Sequence, residues 1–181
     1  MSEVAKVSAP NAAGAMSDIG KSDTGMSDIR DCIAAFYAAY RSRDLELLNA
    51  ILDDRIEWFL IGPADHFDFY GARHGKAAVI EVISRLIPCY FQVTDFEFDQ
   101  TLIEGERVAT RGRIRARQRD TGRSIRYGFA HFLRFEGGKL VSLRGVGDTF
   151  DVAEQVVGHP IDVNRVLESV ELAPEDDVSA V

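Results

Sequence analysis

The stretch "TGRSIRYGFAHFLRFEGGKLVSLRGVGDTF", residues 121–150, decides how this chain folds. Ile125, Tyr127, Phe129, His131, Leu133 and Phe135 fall on every second position, the period of a strand with one side turned to a core. "EGGK" at 136–139 supplies glycines suited to a tight reversal, and a second strand-like run follows over 139–147. So short a link makes the two strands antiparallel neighbours. The run then ends at Asp148, where strand gives way to helix. Asp is a favoured helix N-cap, because its side-chain oxygen accepts a free amide hydrogen of the first turn. The same carboxylate at the mouth of a pocket can act as an acid or a base.

Working outward, residues 91–103 and 107–119 also alternate, and "EGE" and "RDTGR" provide the turns between strands. Upstream the period becomes helical. In "SDIRDCIAAFYAAYRSRD" the residues Ile29, Ile33, Phe36 and Tyr40 recur at helical spacing, with Ser27 or Asp28 able to cap. Asp44 opens a second short helix carrying Leu45, Leu48 and Ile51 on one side. "RIEWFLIG" reads as a strand, "ADHFDFYGARHG" as a loop, and "KAAVIEVISRLI" as a third helix stopped by Pro88. Helices first and long strands after them give an α+β class, with helices covering one face of a curled antiparallel sheet.

The chain of 181 residues reads as one ordered domain over 27–158. Residues 1–26 are small and polar and cannot bury enough surface to order, which makes them a disordered arm. "MSDI" occurs at Met16 and again at Met26, without functional meaning. Residues 159–181 form an acidic extension with six acids and one arginine, in which "IDVNRVLESV" can make one more short helix. The net charge of −8 is therefore uneven, since 27–158 holds 20 acidic and 18 basic residues. Such a balance argues against a nucleic-acid surface, which carries a basic excess.

No apolar run approaches the ~20 residues of a membrane span. The start lacks the basic end and apolar stretch of a signal peptide, so a cytoplasmic protein is expected. Cys32 and Cys89 sit in apolar segments without ligand spacing and read as buried free thiols. His66 and His74, near Asp65 and Asp68, fit no metal-ligand pattern, and no phosphate loop or dinucleotide fingerprint is present. Neither metal nor cofactor is expected.

"FYAAYRSRDLELLNAILDD", "YGARHGKAAV", "TGRSIRYGFAHFLRFEGGKL" and "GDTFDVAEQVVG" together resemble the nuclear transport factor 2-like superfamily over roughly residues 28–158. That superfamily includes ketosteroid isomerases, limonene epoxide hydrolases and SnoaL-like polyketide cyclases. The resemblance implies a cone whose concave sheet face and helices enclose a pocket, and a homodimer formed through the outer face. The isomerases' tyrosine and aspartate fall here on Phe36 and Phe59, which removes both polar groups of that mechanism. The hydrolases' arginine and last aspartate fall on Arg111 and Asp148, but Arg113 stands where their second carboxylate belongs. The SnoaL-like pattern fits best, through Asp148, Gln155 and Gly158, with "GKL" ahead of the last strand.

Extended, Asp148 would share a face with Val146, Arg144 and Ser142, burial raising its pKa and Arg144 lowering it. His131 would be its partner or an oxyanion donor; the plainer reading is a hydrogen-bonded core histidine. Phe36, Tyr40, Trp58 and Phe59 are either cavity walls or packing. "RGRIRARQR" places five arginines opposite Val108, Thr110, Gly112, Ile114 and Ala116. Period-2 reasoning turns these arginines outward, whereas the hydrolase match turns Arg111 into the pocket.

The expectation is thus a pocket for a small hydrophobic molecule, handled without a cofactor by cyclase-, isomerase- or dehydratase-type chemistry. Asp148 and His131 would be catalytic, with Phe36, Tyr40, Trp58, Phe59, Arg111 and Arg144 lining the pocket. A non-catalytic binder and a dimeric protein-association module are the alternatives.

Overall fold

A computed structural model describes residues 29–162. The expected arm over 1–26 and the short helix in the acidic extension lie outside the described residues, apart from the helix's first two positions. Six strands stand side by side in the order β2 (Gly71–His74), β1 (Leu52–Ile61), β6 (Lys139–Gly147), β5 (Ser124–Glu136), β4 (Arg107–Gln118) and β3 (Phe91–Glu104). The four long strands lie within a residue of where alternation and turn glycines put them. The sheet is mixed rather than wholly antiparallel, because β1 runs parallel to β6. No hairpin joins those two strands, so the short-link rule does not govern them. β2 falls inside the stretch expected to be a loop; its four residues carry no strand pattern and are fixed by pairing with Glu57–Leu60 of β1.

The sheet curls where β3 slips register against β4, between Val93 and Asp95 and again between Phe98 and Gln100. Gly112 sits opposite the second slip, where a side chain would collide with the carbonyl oxygen of Glu97. Helix α1 (Ile29–Ser42) lies on the concave face and buries Cys32, Ile33, Phe36, Tyr37 and Tyr40. Arg43, at φ 58, reverses the chain, and Asp44 caps α2 (Leu45–Ile51) by accepting from Leu47 N–H at 3.0 Å.

The third helical segment does not stop at Pro88. α3 (Lys76–Glu81) passes through a π-turn (Val82–Leu86) into α4 (Ile87–Tyr90). Proline lacks an amide, and its ring clashes with the carbonyl four residues back. The wider turn just before it, with Ile87 N–H bonded to Val82 C=O, relieves that clash.

Helix α5 (Thr149–Val157) closes the end of the sheet. Asp148 is its N-cap, accepting from Asp151 N–H at 3.1 Å. β6 ends opposite Phe129, which leaves the backbone of Arg126, paired with Arg115 of β4 on one side, without a strand neighbour on the other. Gln155 replaces one: Arg126 N–H donates to its Oε1 and its Nε2 donates to Arg126 C=O, both at 2.8 Å. Gly158 ends the helix at φ 86, and the Arg123 guanidinium above it donates to the carbonyls of Gln155 and Val156. Replacing Asp148 with Ala should therefore lower unfolding stability by about 1 kcal/mol in urea titrations, while Asp148→Asn and Asp148→Ser keep most of it. A loss for both Asn and Ser as large as that for Ala would show that the carboxylate has a task beyond the cap hydrogen bond.

Candidate functional site

The polar centre of the concave face is built from three elements. Thr110 of β4 and His131 of β5 are cross-strand partners on the inward side. Tyr37 of α1 lies above both, its hydroxyl 2.8 Å from Thr110 Oγ1 and 2.9 Å from His131 Nδ1. The rings of Tyr37 and His131 are parallel within 5°, and Phe129 lies 4.6 Å from the imidazole centre. Thr110 and His131, 2% and 5% exposed, are the buried polar residues among those described. Buried polar groups destabilise unless hydrogen-bonded, and these two both bond the Tyr37 hydroxyl. Burial pulls the His131 pKa down to about 3, so the imidazole is neutral at pH 7. The Tyr37 phenol is pushed far above its ordinary value by the same desolvation, with the Thr110 hydrogen bond opposing.

His131 forms part of the wall of a cavity of about 50 Å³, shared with Tyr40, Leu60, Tyr70, Tyr127 and Gly145. The hydroxyls of Tyr40, Tyr70 and Tyr127 have no protein hydrogen-bond partner among the described residues. Burial raises all three pKa values, and proximity to the other phenols raises Tyr40 and Tyr127 further. Asp, Glu, Lys and Arg are absent from the described lining. Gly145, the cross-strand partner of His131, keeps the imidazole accessible: a methyl group there would sit 3.3 Å from Nε2. No group of His, Cys, Asp and Glu suited to a metal ion occurs among the described residues.

Several expected site residues lie elsewhere. Asp148 is exposed, caps α5 and is not in the cavity wall. Arg144, Arg111 and Phe59 are on the outer face, because strand alternation turns them away from His131 and Trp58. Arg113 pairs with Asp99 at 3.6 Å, and Arg115 and Arg126 share Glu97, so part of the arginine stripe is matched by acids of β3. Phe36 and Trp58 are packed together in the core, while Tyr40 does line the cavity. Cys32 is buried but Cys89 is exposed, and neither forms a disulfide among the described residues.

Tyr37, Thr110, Tyr70 and Tyr127 were not expected as site residues. Tyr127 shares the alternating run of His131 and could have been read from it. Tyr70 gave no periodic signal.

The neutral His131 makes stability depend on pH. Its folded pKa lies below its unfolded value, so its contribution is complete above about pH 6.5 and is lost as pH falls. Between about pH 6 and 4 this single group should remove roughly 1 kcal/mol per pH unit. Urea unfolding of wild type and His131→Gln across that range should show the slope reduced by that amount in the variant. Equal slopes would mean that His131 is not buried neutral.

Comparison with known proteins places this geometry in a family. A model of the SnoaL-like domain matches residues 33–143. A provisionally assigned isomerase from Rhodopseudomonas palustris is 34% identical over 75% of this chain and all of its own, with a TM-score of 0.67. A nuclear transport factor 2-like protein of unknown function from Burkholderia pseudomallei is 28% identical over 73% of this chain and 97% of its own, with a TM-score of 0.61. An epoxide hydrolase from M. tuberculosis resembling limonene epoxide hydrolase is 13% identical over 71% of this chain and 84% of its own; its TM-score of 0.59 speaks to fold alone. No curated protein matches significantly. With its curled sheet, concave helices and matching family model, this chain belongs to the SnoaL-like domain family.

Proposed function

We propose that the protein binds a small uncharged molecule in the concave-face cavity, with His131 as its central polar contact. One observation carries this reading: a buried polar chain, Thr110–Tyr37–His131, ends at a cavity where apolar side chains would pack with less penalty. The three phenol hydroxyls around the same space add polar groups that a filled core would not carry. A cavity of about 50 Å³ has room for one or two waters. A larger ligand enters by shifting Tyr70, whose ring lies against Gly62.

Binding is favoured over proton abstraction. The described lining has no carboxylate, and an imidazole with its pKa near 3 is a weak base at pH 7. The second reading, cofactor-free proton transfer of isomerase type, is favoured by the 34% identity to the Rhodopseudomonas palustris protein.

A screen of neutral ketone and phenol fragments by ligand-observed NMR separates these readings. Fragments should bind wild type and lose about tenfold or more in affinity to Gly145→Ala, whose methyl covers the imidazole. Equal binding to both proteins would remove the cavity as the site. Deuterium wash-in at the carbon beside a bound carbonyl, lost in His131→Gln, would promote the isomerase reading.

We also propose that a second copy covers the outer face. A groove of about 580 Å³ there has Leu102, Ala109 and Phe132 in its lining, with Leu102 59% and Phe132 54% exposed. Its rim carries Glu104 together with Arg107 and Arg144, which have no ion-pair partner among the described residues. Light scattering should give a dimer for wild type and a monomer for Phe132→Glu. A monomeric wild type at micromolar concentration would defeat this proposal.

A further inference from the structure

Resting on the small-molecule reading above, we infer that His131 carries its ring proton on Nε2, which makes the cavity selective for an uncharged ligand presenting a carbonyl-type acceptor oxygen. The inference follows from counting donors and acceptors along the buried chain. The Tyr37 hydroxyl contacts both Thr110 Oγ1 and His131 Nδ1, and only two proton arrangements satisfy both contacts while using the buried Tyr37 hydrogen, since letting Thr110 and Nδ1–H both donate to the phenol oxygen leaves that hydrogen without an acceptor. In the first, Thr110 donates to Tyr37, Tyr37 donates to Nδ1, and the ring proton sits on Nε2. In the second, Nδ1–H donates to Tyr37, Tyr37 donates to Thr110, and Nε2 keeps a lone pair.

The two arrangements leave different hydrogens unused. The second leaves the Thr110 hydroxyl hydrogen without an acceptor, because Tyr37 is that hydroxyl's partner among the described residues and Thr110 is 2% exposed. An enclosed donor with nothing to accept it is a costly defect. The first leaves only Nε2–H unused, and that atom is not enclosed. Trp58 Nε1 is the fully enclosed side-chain atom without a partner among the described residues, and His131 Nε2 is not another. It lies beside Gly145 in the cavity wall, where a ligand oxygen or a water can accept from it. Tyr37 and Thr110 are thus positioning residues that set the tautomer.

The rest of the lining narrows the ligand class. A donor at Nε2 calls for an acceptor on the ligand. A carboxylate or phosphate finds no cation, since the described lining has no Lys or Arg and the β4 arginines face outward. An ammonium finds no carboxylate there either. Aromatic walls from Tyr40, Phe69, Tyr70 and Tyr127 suit a flat, compact body, and their hydroxyls can bond a second oxygen of it.

The test is NMR on the full chain with 15N-labelled histidine at pH 7. The expected His131 pattern is a pyridine-type Nδ1 and a pyrrole-type Nε2 with its proton attached. The matched probes are cyclopentanone, methylenecyclopentane and cyclopentanecarboxylate. Cyclopentanone should shift the Nε2–H resonance saturably, methylenecyclopentane should bind about tenfold more weakly, and the carboxylate should give no saturable shift. Tyr37→Phe should lose the single tautomer and most of the discrimination between the first two probes while still taking up the hydrocarbon. A proton found on Nδ1 overturns the inference and leaves the binding reading intact. Equal or tighter binding of the carboxylate or the hydrocarbon overturns the selectivity. If no probe moves any cavity resonance, the binding reading fails and the inference fails with it.

Discussion

Tyr37 ties the helical layer to the sheet at one point, and the interior is arranged around that tie. Its hydroxyl must reach Thr110 and His131 together, within 2.8 and 2.9 Å, which fixes where α1 lies over β4 and β5. The two strand residues face each other across the ladder, so the pair is presented as a unit only in one register. Phe96, Phe98 and Phe129 surround the tie and keep water away from it. A hydrogen-bonded chain in such surroundings is stronger than in water, and an unpaired member of it is costlier. The chain therefore specifies the packing of α1 as well as the chemistry of the cavity.

Much of this was legible locally. Period-2 alternation and turn glycines are properties of neighbouring residues, and they located the four long strands and turned His131 inward. Adjacent residues of a strand cannot face the same way, so Trp58 and Phe59 could not both enter the cavity; only Trp58 is on the inward side. Asp148 was read by carrying the strand one residue too far. Once Thr149 is helical, the carboxylate is set by the cap and not by the face of Arg144 and Val146. The helical stripe of Phe36 and Tyr40 is wide enough to include Tyr37, yet nothing local shows that its hydroxyl meets two strand residues more than seventy positions away. Tyr70 and β2 depend wholly on tertiary placement, as does the π-turn that lets helix continue through Pro88.

The residues that carried the family resemblance prove to be architectural. Asp148 caps a helix, Gln155 stands in for the neighbour that Arg126 lacks on the β6 side, and Gly158 takes a left-handed conformation under Arg123. These are requirements of ending a curled sheet with a helix across its open end. Any protein of this shape has a use for them, whatever it binds. A signature of that kind identifies a fold reliably and a reaction poorly, because function sits in the side chains grafted onto the concave face.

The sheet also works as a partition between charge and neutrality. The alternation that turns Arg111, Arg113, Arg115 and Arg117 outward leaves Val108, Thr110, Ile114 and Ala116 inside. Acids of β3 meet part of that stripe on the outer face, so its charge is balanced there and does not reach the cavity. Inside, discrimination has to come from shape and from hydrogen-bond direction, since no charge in the described lining can attract or repel a ligand. Gly145 completes that arrangement by omission. Any side chain at its position would cover the imidazole edge and press on Leu60, so the strand leaves a gap where the polar chain from Thr110 needs an outlet.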